Sequence, residues 1–558
     1  MGSGLRENVT TLECQVVVVG GGPVGLLLAA ELGQRDIRTI VVERKVGLQT
    51  HPAANHHTAR TMEHYRRLGL ASSIRSAGLP ETFSPDVTFW NALGRYELAR
   101  LEIPSSAEMH RVARSWHNRW PTPELPHRCS QLFFEPILQS AARRQSATTI
   151  LDGWEVIEVD QSAQAIKVVA RDKDRKYLRI NGEYVIGCDG PKSFVRECIK
   201  TRLTGTKTSR RFFGGQMVSL YFSCPTFYEY SRKSPAWHYW FVDKSFRALV
   251  VSIDGKSNFQ MNVQIPADAS SADLNARMLL RDAIGVDLPF TMHSISPWTA
   301  GHALVADQYI NGRILIAGDA AHLFTPTGGL GFNSGVGDAA NLAWKLEAVC
   351  KGWASSSLLA SYETERQAIA IRNTGFSKLT ADRLAAIELP ACLQEAGPTG
   401  QDARTEARNL LFQHATAEFM APGCQLGERY TDSPIVYSDG DAPPDLFDRY
   451  EESASPGMRA PHLWCHDGSS LFDHFGFHFT LLVAGRGRDT SVGFVESASK
   501  RGIPLQVLHC DDLEIRRKYD SDLILIRPDQ HVAWRGDATV RADEVFERAL
   551  GEPESQRN

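Results

Sequence analysis

The chain has 558 residues, of which 42% are hydrophobic and 23% are charged. This length can bury several cores, so we expect two or three domains. Its 61 basic and 65 acidic residues nearly balance and are evenly spread, which excludes the strongly basic surface that nucleic acids and anionic membranes attract. The expected partners are therefore small molecules.

Ten cysteines are scattered along the chain without a C-x-x-C pair. This distribution indicates buried thiols in a reducing compartment, not a disulfide framework or a zinc site, and it predicts a cytoplasmic location and no bound metal. One apolar stretch, residues 16–32, resembles a membrane segment, but glycines and a proline interrupt it after four residues. We therefore expect a buried strand followed by a helix, and no membrane span.

The first motif is VVVVGGGPVGLLLAAEL, near the amino terminus. Its β-branched run at 16–19 predicts a parallel strand buried on both faces. Three glycines follow in the G-x-G-x-x-G pattern of a dinucleotide-binding turn: Gly20, Gly22 and Gly25. A second strand, predicted at 39–42, ends at Glu43, where a carboxylate can bind both hydroxyls of an adenosine ribose. This unit predicts a dinucleotide site without separating FAD from NAD.

The second motif, GRILIAGDAAHLFTPTGGLGFNSGVGDAANLAWKL, occupies residues 312–346. It predicts a short buried strand that ends in the carboxylate of Asp319. A glycine-rich loop at 326–331 then opens into a helix predicted at 339–350. Two roles stay open for Asp338, which precedes that helix: capping its first turn or contacting a cofactor directly.

The third motif, GCDGPKSFVRE, places an Asp-Gly pair at 189–190 directly after a predicted strand. Alone, such a pair is an ordinary turn. Together, the three motifs resemble the fingerprints of FAD-dependent aromatic hydroxylases of the para-hydroxybenzoate and phenol hydroxylase type. The resemblance covers almost the whole chain, since RTMEHYRRLGL at 60–70 also matches a segment of that family.

The resemblance implies non-covalent FAD, with NADPH or NADH as the electron donor. It implies that Asp319 binds the ribityl chain, that the 326–331 loop follows the flavin edge, and that the Asp-Gly pair serves both the pyrophosphate and the pyridine nucleotide. Gln131 stands where relatives have a glutamine that hydrogen-bonds FAD, and Arg128 beside it is either a further contact or a solvated charge. The expected cofactor contacts are Gly20, Gly22, Pro23, Gly25, Glu43, Arg44, Gln131, Asp189, Gly190, Asp319, Pro326, Gly329, Leu330, Gly331 and Asn333.

The chain departs from the family pattern after the second strand. Many relatives carry a basic residue near Ala53 or Asn55, whereas this chain has His56 and His57 beside those positions. Two interpretations stay open for this histidine pair. They make local contacts near the flavin edge or NAD(P)H, or they are solvated loop residues.

Four segments rich in aromatic and β-branched residues predict an antiparallel sheet: 216–222, 236–242, 248–253 and 260–264. In the resembled family such a sheet covers the flavin. Strand alternation predicts two sets of aromatic residues on opposite faces: Trp237, Tyr239 and Phe241 against His238 and Trp240. Either set could form the wall of a pocket for a flat phenolic substrate, and the alternative is an ordinary sheet core.

We therefore expect an α/β protein in which a Rossmann-type FAD-binding domain is interleaved with an antiparallel-sheet substrate domain. A thioredoxin-like α/β domain should follow at the carboxyl terminus; because it lacks C-x-x-C, its expected role is packing or subunit contact, as in a homodimer. The expected boundaries are 12–190 and 295–392 for the FAD-binding domain, 191–294 with part of 80–115 for the substrate domain, 393–455 for a connector, and 456–550 for the thioredoxin-like domain.

The implied reaction is hydroxylation of a phenolic or related aromatic or polyketide substrate by O₂ and NAD(P)H, through a flavin C4a-hydroperoxide. A phenolate is far more nucleophilic than a phenol, so a group near the substrate hydroxyl should take up its proton. The candidates by location are His238, Tyr239 and Tyr221. The alternatives are a flavin oxidase or dehydrogenase, a Baeyer–Villiger-type enzyme and, outside enzymes, a flavin-free binding protein on the same scaffold.

Overall fold

The computed structural model describes residues 10–207, 215–242, 247–266, 274–440, 442–484, 491–537 and 540–552. The strands of these ranges form six sheets. In chain order they are β1 (Thr10–Glu13), β2 (Val16–Val19), β3 (Thr39–Glu43), β4 (His56–His57), β5 (Val87–Trp90), β6 (Glu97–Leu101), β7 (His127–Arg128), β8 (Thr148–Asp152), β9 (Trp154–Gln161), β10 (Ile166–Asp172), β11 (Tyr177–Gly182), β12 (Tyr184–Gly187), β13 (Leu203–Lys207), β14 (Gly215–Ser223), β15 (His238–Val242), β16 (Arg247–Ser252), β17 (Asn258–Gln264), β18 (Thr291–Ala300), β19 (His302–Ala306), β20 (Ile310–Asn311), β21 (Ile314–Ile316), β22 (His322–Leu323), β23 (Phe479–Val483), β24 (Leu505–His509), β25 (Leu523–Ile526) and β26 (Val532–Gly536).

The helices connect these strands and cover their sheets. None of them, within the described ranges, has the length and apolar character needed to cross a membrane. They are α1 (Pro23–Gly33), α2 (Ala59–Arg67), α3 (Ala71–Arg75), α4 (Ser106–Val112), α5 (Gln131–Arg143), α6 (Phe194–Cys198), α7 (Phe227–Ser231), α8 (Ala276–Ile284), α9 (Leu330–Cys350), α10 (Ala360–Ala386), α11 (Gly397–Phe419), α12 (Pro422–Leu426), α13 (Val492–Arg501), α14 (Leu513–Tyr519) and α15 (Ala542–Ala549).

The amino-terminal half is built around a six-stranded sheet in the order β20-β21-β12-β2-β3-β8. All neighbouring strands in it are parallel except β20, which joins the edge antiparallel. β2 and β12 are buried along their whole length, as expected for apolar strands covered on both faces. Helices α1 and α9 pack against each other beside this sheet. The predicted Rossmann-type domain is confirmed.

The substrate domain is a seven-stranded sheet in the order β18-β14-β17-β16-β15-β5-β6. Its neighbouring strands are antiparallel except for the pair β5 and β15. The four segments predicted as strands form β14 to β17 of this sheet. β5 and β6 belong to the earlier segment 80–115, so the sheet is assembled from distant parts of the chain.

The two faces of this sheet bury different side chains. His238 and Trp240 of β15 face helix α11, whereas Tyr239 lies in the core beneath α7 and α8. The prediction that Trp237 shares a face with Tyr239 is wrong. β15 begins only at His238, so Trp237 precedes the alternation and stacks on the His238 ring with ring centroids 3.4 Å apart.

Helix α11 lies inside the segment 393–455 that the sequence predicts as a connector. It packs on β6, and Ala407 of this helix belongs to the same buried cluster as Trp240. Glu418 and Phe419 in its last turn are buried as well. This part of the chain therefore covers the substrate sheet instead of merely linking two domains.

The carboxyl-terminal domain is a four-stranded sheet in the order β24-β23-β25-β26. β23 and β24 are parallel, and β25 and β26 are antiparallel to their neighbours, which confirms the thioredoxin-like arrangement. Buried ion pairs join this domain to the core. Arg459 Nε lies 2.9 Å from Glu63 Oε2, and Arg527 Nη1 lies 2.6 Å from Glu365 Oε1.

We expect the two cysteines of this domain, Cys465 and Cys510, to take no part in turnover. Burial raises the pKa of both thiols, so little thiolate is present at neutral pH. The variant with both cysteines replaced by serine should keep wild-type NADPH consumption and wild-type circular dichroism. Loss of turnover in a folded double variant would show that the thiols participate.

The same variant also bears on the prediction of no bound metal. Cys465, Asp467 and His474 each offer one ligand atom, and these atoms lie within 4.8 Å of one another near the surface. Metal content of the purified protein should be equal in wild type and in the double variant. A stoichiometric metal that disappears with Cys465 would contradict that prediction.

Candidate cofactor and active site

The three glycines of the turn after β2 lie in different surroundings. Gly20 has φ +105°, and a Cβ there would lie 2.4 Å from the Cys188 carbonyl oxygen. A Cβ on Gly25 would lie 2.0 Å from the Gly20 carbonyl oxygen. At Gly22, no heavy atom of the described residues lies within 4 Å of the corresponding position. Gly20 and Gly25 are thus required by packing, whereas Gly22 borders open space into which a ligand can approach the helix.

Glu43 is held against this turn by main-chain donors. The Gly21 N–H donates to Glu43 Oε2 at 2.6 Å, and the Lys45 N–H donates to Oε1 at 2.8 Å. Each carboxylate oxygen keeps a lone pair for a ribose hydroxyl. Arg44 next to it is exposed.

The three sequence motifs meet around the start of α1. A Cβ on Gly318 would lie 3.2 Å from Val24, and one on Gly335 would lie 2.6 Å from Val24, so both glycines let α1 approach closely. A Cβ on Gly20 would lie 2.4 Å from the Cys188 carbonyl oxygen and 3.0 Å from Asp189 Cα, so the first and third motifs approach closely. The carboxyl ends of β2, β12 and β21 therefore form one cleft, as ligand sites of parallel sheets do.

Asp189 has a local partner in this cleft. Its carboxylate accepts from Ser193 Oγ at 2.5 Å and from the Val195 N–H at 3.1 Å, which positions the short helix α6. Gly190 has φ +83° and open space around its Cβ position. The Asp-Gly pair thus forms the turn that brings its main chain to the cleft.

Asp319 lies just after β21 and combines two properties. Its side chain is exposed, yet the surrounding protein desolvates the carboxylate enough to raise its pKa, which the charge of His322 only partly offsets. Exposure together with desolvation is typical of a carboxylate in a deep cleft. Among the described residues, Asp319 has no hydrogen-bond or ion-pair partner, so it can accept hydrogen bonds from a bound ligand.

Asp338 has neither of the two roles considered from the sequence. Helix α9 begins at Leu330, before the predicted start, so Asp338 lies inside the helix and is fully buried. It accepts from the Gly318 N–H at 3.0 Å, from His322 Nε2 at 2.7 Å and from Arg366 Nε at 2.8 Å. Burial alone would raise its pKa, but the charges and hydrogen bonds of His322 and Arg366 lower it to about 2. Asp338 thus holds the turn that presents Asp319.

The loop at 326–331 leads into α9 through two glycines with positive φ, Gly328 at +77° and Gly329 at +64°. Within the described ranges, no side chain caps the amino terminus of α9 or that of α1. The Gly328 N–H donates to Glu418 Oε1 at 2.8 Å. Asn333 Nδ2 donates to the Gly329 carbonyl at 2.6 Å and its Oδ1 accepts from the Thr58 N–H at 2.9 Å. Asn333 thus stabilises the loop from within the helix.

His56 and His57 form the short strand β4, which pairs with β7. Both are buried, so the interpretation as solvated loop residues is wrong. His56 Nδ1 lies 3.2 Å from the Gly328 carbonyl oxygen, and a Cβ on Gly329 would lie 2.7 Å from the same nitrogen. His56 therefore makes a local contact with the 326–331 loop.

Gln131 begins helix α5 and donates to Glu135 Oε2 at 2.5 Å. Its main-chain N–H donates to the Ala54 carbonyl at 2.7 Å, which ties α5 to the segment before β4. Arg128 on β7 is buried, so its interpretation as a solvated charge is wrong. Its guanidinium carbon lies 4.5 Å from the centre of the Trp237 ring.

The three candidate bases lie in different surroundings. His238 is buried on the face toward α11, and neither of its ring nitrogens has a hydrogen-bond partner among the described residues. Tyr221 is half-buried near the rings of His51 and His293. The Tyr239 hydroxyl accepts from the Ala236 N–H at 2.7 Å inside the opposite core, which argues against contact with a substrate.

FAD fits the donors and acceptors of the cleft. A pyrophosphate requires main-chain N–H groups at an uncapped helix terminus, and α1 offers this next to the open space at Gly22. A ribityl chain requires a hydrogen-bond acceptor, which Asp319 provides. An anionic flavin edge requires a positive partial charge, which the uncapped terminus of α9 provides.

We expect Asp319→Ala to weaken FAD binding and to leave the fold intact. The exposed, unpartnered carboxylate contributes to binding but not to packing, and a lost hydrogen bond to a charged group costs roughly 1.5–3 kcal/mol. That is about tenfold to a hundredfold in affinity. Fluorescence titration of the apoprotein with FAD measures the loss, and wild-type affinity would remove Asp319 from the site.

Comparisons with known proteins identify the family. Residues 13–377 match the family described as FAD binding domain, and residues 453–553 match the family described as aromatic-ring hydroxylase, C-terminal. The FAD-dependent monooxygenase apdD of Emericella nidulans is 29% identical over 96% of this chain and 89% of that protein. Phenol 2-monooxygenase of Pseudomonas sp. is 27% identical over 97% of this chain and 92% of that protein.

A solved structure agrees over the whole chain. The rebeccamycin biosynthetic enzyme RebC with reduced flavin superposes with a TM-score of 0.87 at 29% identity, over 98% of this chain and 100% of that one. These findings support an enzyme over a flavin-free binding protein. The chain belongs to the family of FAD-dependent aromatic-ring hydroxylases and is a flavoprotein monooxygenase.

Proposed function

We propose that the chain hydroxylates a phenolic ring, with FAD bound along the carboxyl ends of β2, β12 and β21. The observation that carries this proposal is the exposed but desolvated carboxylate of Asp319, without a partner, in the cleft that also contains the open position at Gly22. The residues proposed to hold the cofactor are Gly20, Gly22, Pro23, Gly25, Glu43, Gln131, Asp189, Gly190, Asp319, Pro326, Gly329, Leu330, Gly331 and Asn333.

When bound, FAD accepts a hydride from NAD(P)H and activates O₂ for transfer of one oxygen atom. The chain's own contribution is to orient the aromatic ring and to exclude water. Trp237 and Phe419 provide apolar ring surfaces, their centroids 6.0 Å apart in an edge-to-face arrangement. The name of the phenol 2-monooxygenase relative supports a phenol as the class of substrate.

His238 is the residue we propose to take up the phenolic proton. Burial, followed by the positive charge of Arg128, lowers its pKa well below 6.5, so the imidazole is neutral at neutral pH. A neutral ring whose nitrogens have no partner among the described residues can accept a hydrogen bond from the substrate hydroxyl. Burial and Arg128 disfavour the protonated imidazole, so proton uptake depends on the negative charge that the phenolate gains beside it. Tyr221 is the second candidate, but burial raises its pKa, so it is a donor at neutral pH.

The test is a screen of phenols with the purified holoenzyme. The protein should be yellow, and acid precipitation should release its FAD, since non-covalent contacts hold the cofactor. One or more phenols should accelerate NADH or NADPH oxidation above the rate without substrate. Absence of flavin reduction by either nucleotide would refute the proposed function. The preferred nucleotide, a cytoplasmic location and a homodimeric assembly stay predictions.

A further inference from the structure

Arg128 is a buried cation that forms no ion pair with any described residue. Its side chain is 5% exposed, and burial lowers its pKa only to about 9, so it is charged at neutral pH. Its one hydrogen bond to a described residue joins Nη1 to the His127 carbonyl oxygen at 3.3 Å, while Nε has no partner. No carboxylate of the described residues lies within 4.0 Å. An isolated buried charge is costly, and folded proteins normally pair it.

The groups that face Arg128 include two aromatic rings and one carboxylate. Its guanidinium lies over the ring of Trp237 and 6.0 Å from the centre of Phe419. The carboxylate of Glu418 raises the pKa of Arg128, but its Oε1 accepts from the Gly328 N–H and its Oε2 lies 3.3 Å from His414 Nε2. The charged and titratable groups around Arg128 are His56, His57, His127, His238 and Glu418.

Several polar atoms around Arg128 are unsatisfied. Both ring nitrogens of His238 and Nε2 of His56 lack a hydrogen-bond partner in the part of the chain that the structure describes. All of these atoms are buried and so are not hydrogen-bonded to bulk solvent. Since buried donors and acceptors are normally paired, this group of atoms suits a ligand that carries hydrogen-bonding oxygen atoms.

Arg128 also lines a cavity with mostly apolar walls. The cavity is bordered by Leu79, Phe83, Met109 and Pro126, among other residues, and Arg128 is its charged member. Apolar walls with a single cationic group match an aromatic ring that carries one anionic oxygen substituent. The planar guanidinium suits such an oxygen better than a lysine ammonium would.

We propose that Arg128 binds an anionic oxygen of the aromatic substrate, either a phenolate or a carboxylate, and that His238 hydrogen-bonds the same group. This proposal rests on the proposed function, because it places the substrate ring beside the sheet face that carries His238. It also predicts the substrate specificity: the enzyme binds rings with an ionised oxygen more tightly than rings whose oxygen is methylated.

The experiment compares wild-type holoenzyme with Arg128→Met, using three probes: benzoate, 4-nitrophenol and 4-nitroanisole. Equilibrium dialysis should show that the variant loses about tenfold or more in affinity for an anionic probe, since a hydrogen bond to a charged group is lost. Affinity for 4-nitroanisole should not change. A loss confined to benzoate assigns the site to a carboxylate, and a loss confined to 4-nitrophenol assigns it to a phenolate.

Three controls separate the possible outcomes. Arg144→Met makes the same chemical change at an exposed position and should leave all affinities unchanged. Arg128→Met should fold with an unchanged or raised Tm, because it removes a buried charge that has no ion-pair partner among the described residues. Arg128→Lys should keep part of the anion affinity, and it replaces the methionine variant in the experiment if that variant does not fold. FAD content reports on the cofactor site independently.

The proposal is overturned if Arg128→Met binds both anions as wild type does, if neither anion binds the wild type, or if the variant loses FAD. The last result would assign Arg128 to the cofactor. These outcomes differ from failure of the proposed function, since flavin reduction by NAD(P)H is measured in the same preparations and does not depend on anion binding.

Discussion

Asp338→Asn should lower the free energy of unfolding by about 3–5 kcal/mol, because it leaves the buried guanidinium of Arg366 without its carboxylate partner. Asp338 is 0% exposed and bonds to His322, Arg366 and the Gly318 N–H. The amide cannot accept all three hydrogen bonds in the same geometry. Urea unfolding of the holoenzyme, followed by circular dichroism, measures the change.

The dependence on pH has a definite sign. The folded pKa of Asp338 is about 2, below the ordinary value of 3.8, so the carboxylate stabilises the folded state above pH 3.8 and loses this effect as pH falls through 2. The difference corresponds to about 2 kcal/mol. Asp382→Asn is the matched control, since Asp382 forms a partly exposed pair with Lys378 worth less than about 1 kcal/mol. An equally small effect of Asp338→Asn would contradict the buried network.

Gly22→Ala should abolish FAD retention while leaving the protein folded. Its φ of −74° suits alanine, and no protein atom lies within 4 Å of the new Cβ. The methyl group would instead occupy the space through which the pyrophosphate reaches the amino terminus of α1. Losing two charge-assisted hydrogen bonds weakens FAD binding on the order of a thousandfold.

Two glycine variants test that explanation. Gly493→Ala also meets open space, in helix α13 of the carboxyl-terminal domain, and should keep full FAD content. Gly25→Ala should lower Tm, because its Cβ would lie 2.0 Å from the Gly20 carbonyl oxygen. A Gly22→Ala protein that purifies with a full complement of FAD would place the pyrophosphate elsewhere.

The fold was predictable where the signal is local. The β-branched run of β2 and the glycines after it specify strand, turn and helix within a few residues, and alternation identified β14 to β17. The starts of α9 and β15 were less predictable, because the motif loop continues directly into α9 and Trp237 looks like part of the strand alternation. The pattern of residue types within a segment therefore does not fix the residue at which a helix or strand begins.

The candidate site was only partly predictable, because its remaining members depend on distant partners. The burial of Arg128 and His56 results from the pairing of β4 with β7, two strands of two residues each. Glu418 reaches the loop at Gly328 from a helix in the segment predicted as a connector. The pair of Asp338 with Arg366 spans two helices. No periodicity in the sequence signals such contacts.

The measurement that tests the central claim most directly is the fate of isotopically labelled dioxygen. Holoenzyme, NADPH or NADH and a phenol that stimulates oxidation are incubated under labelled O₂, and the product is analysed by mass spectrometry. A monooxygenase should place one labelled oxygen atom on the ring, ortho or para to the hydroxyl. Label found only in water or peroxide, with an unchanged phenol across a broad panel, would contradict hydroxylation and indicate an oxidase.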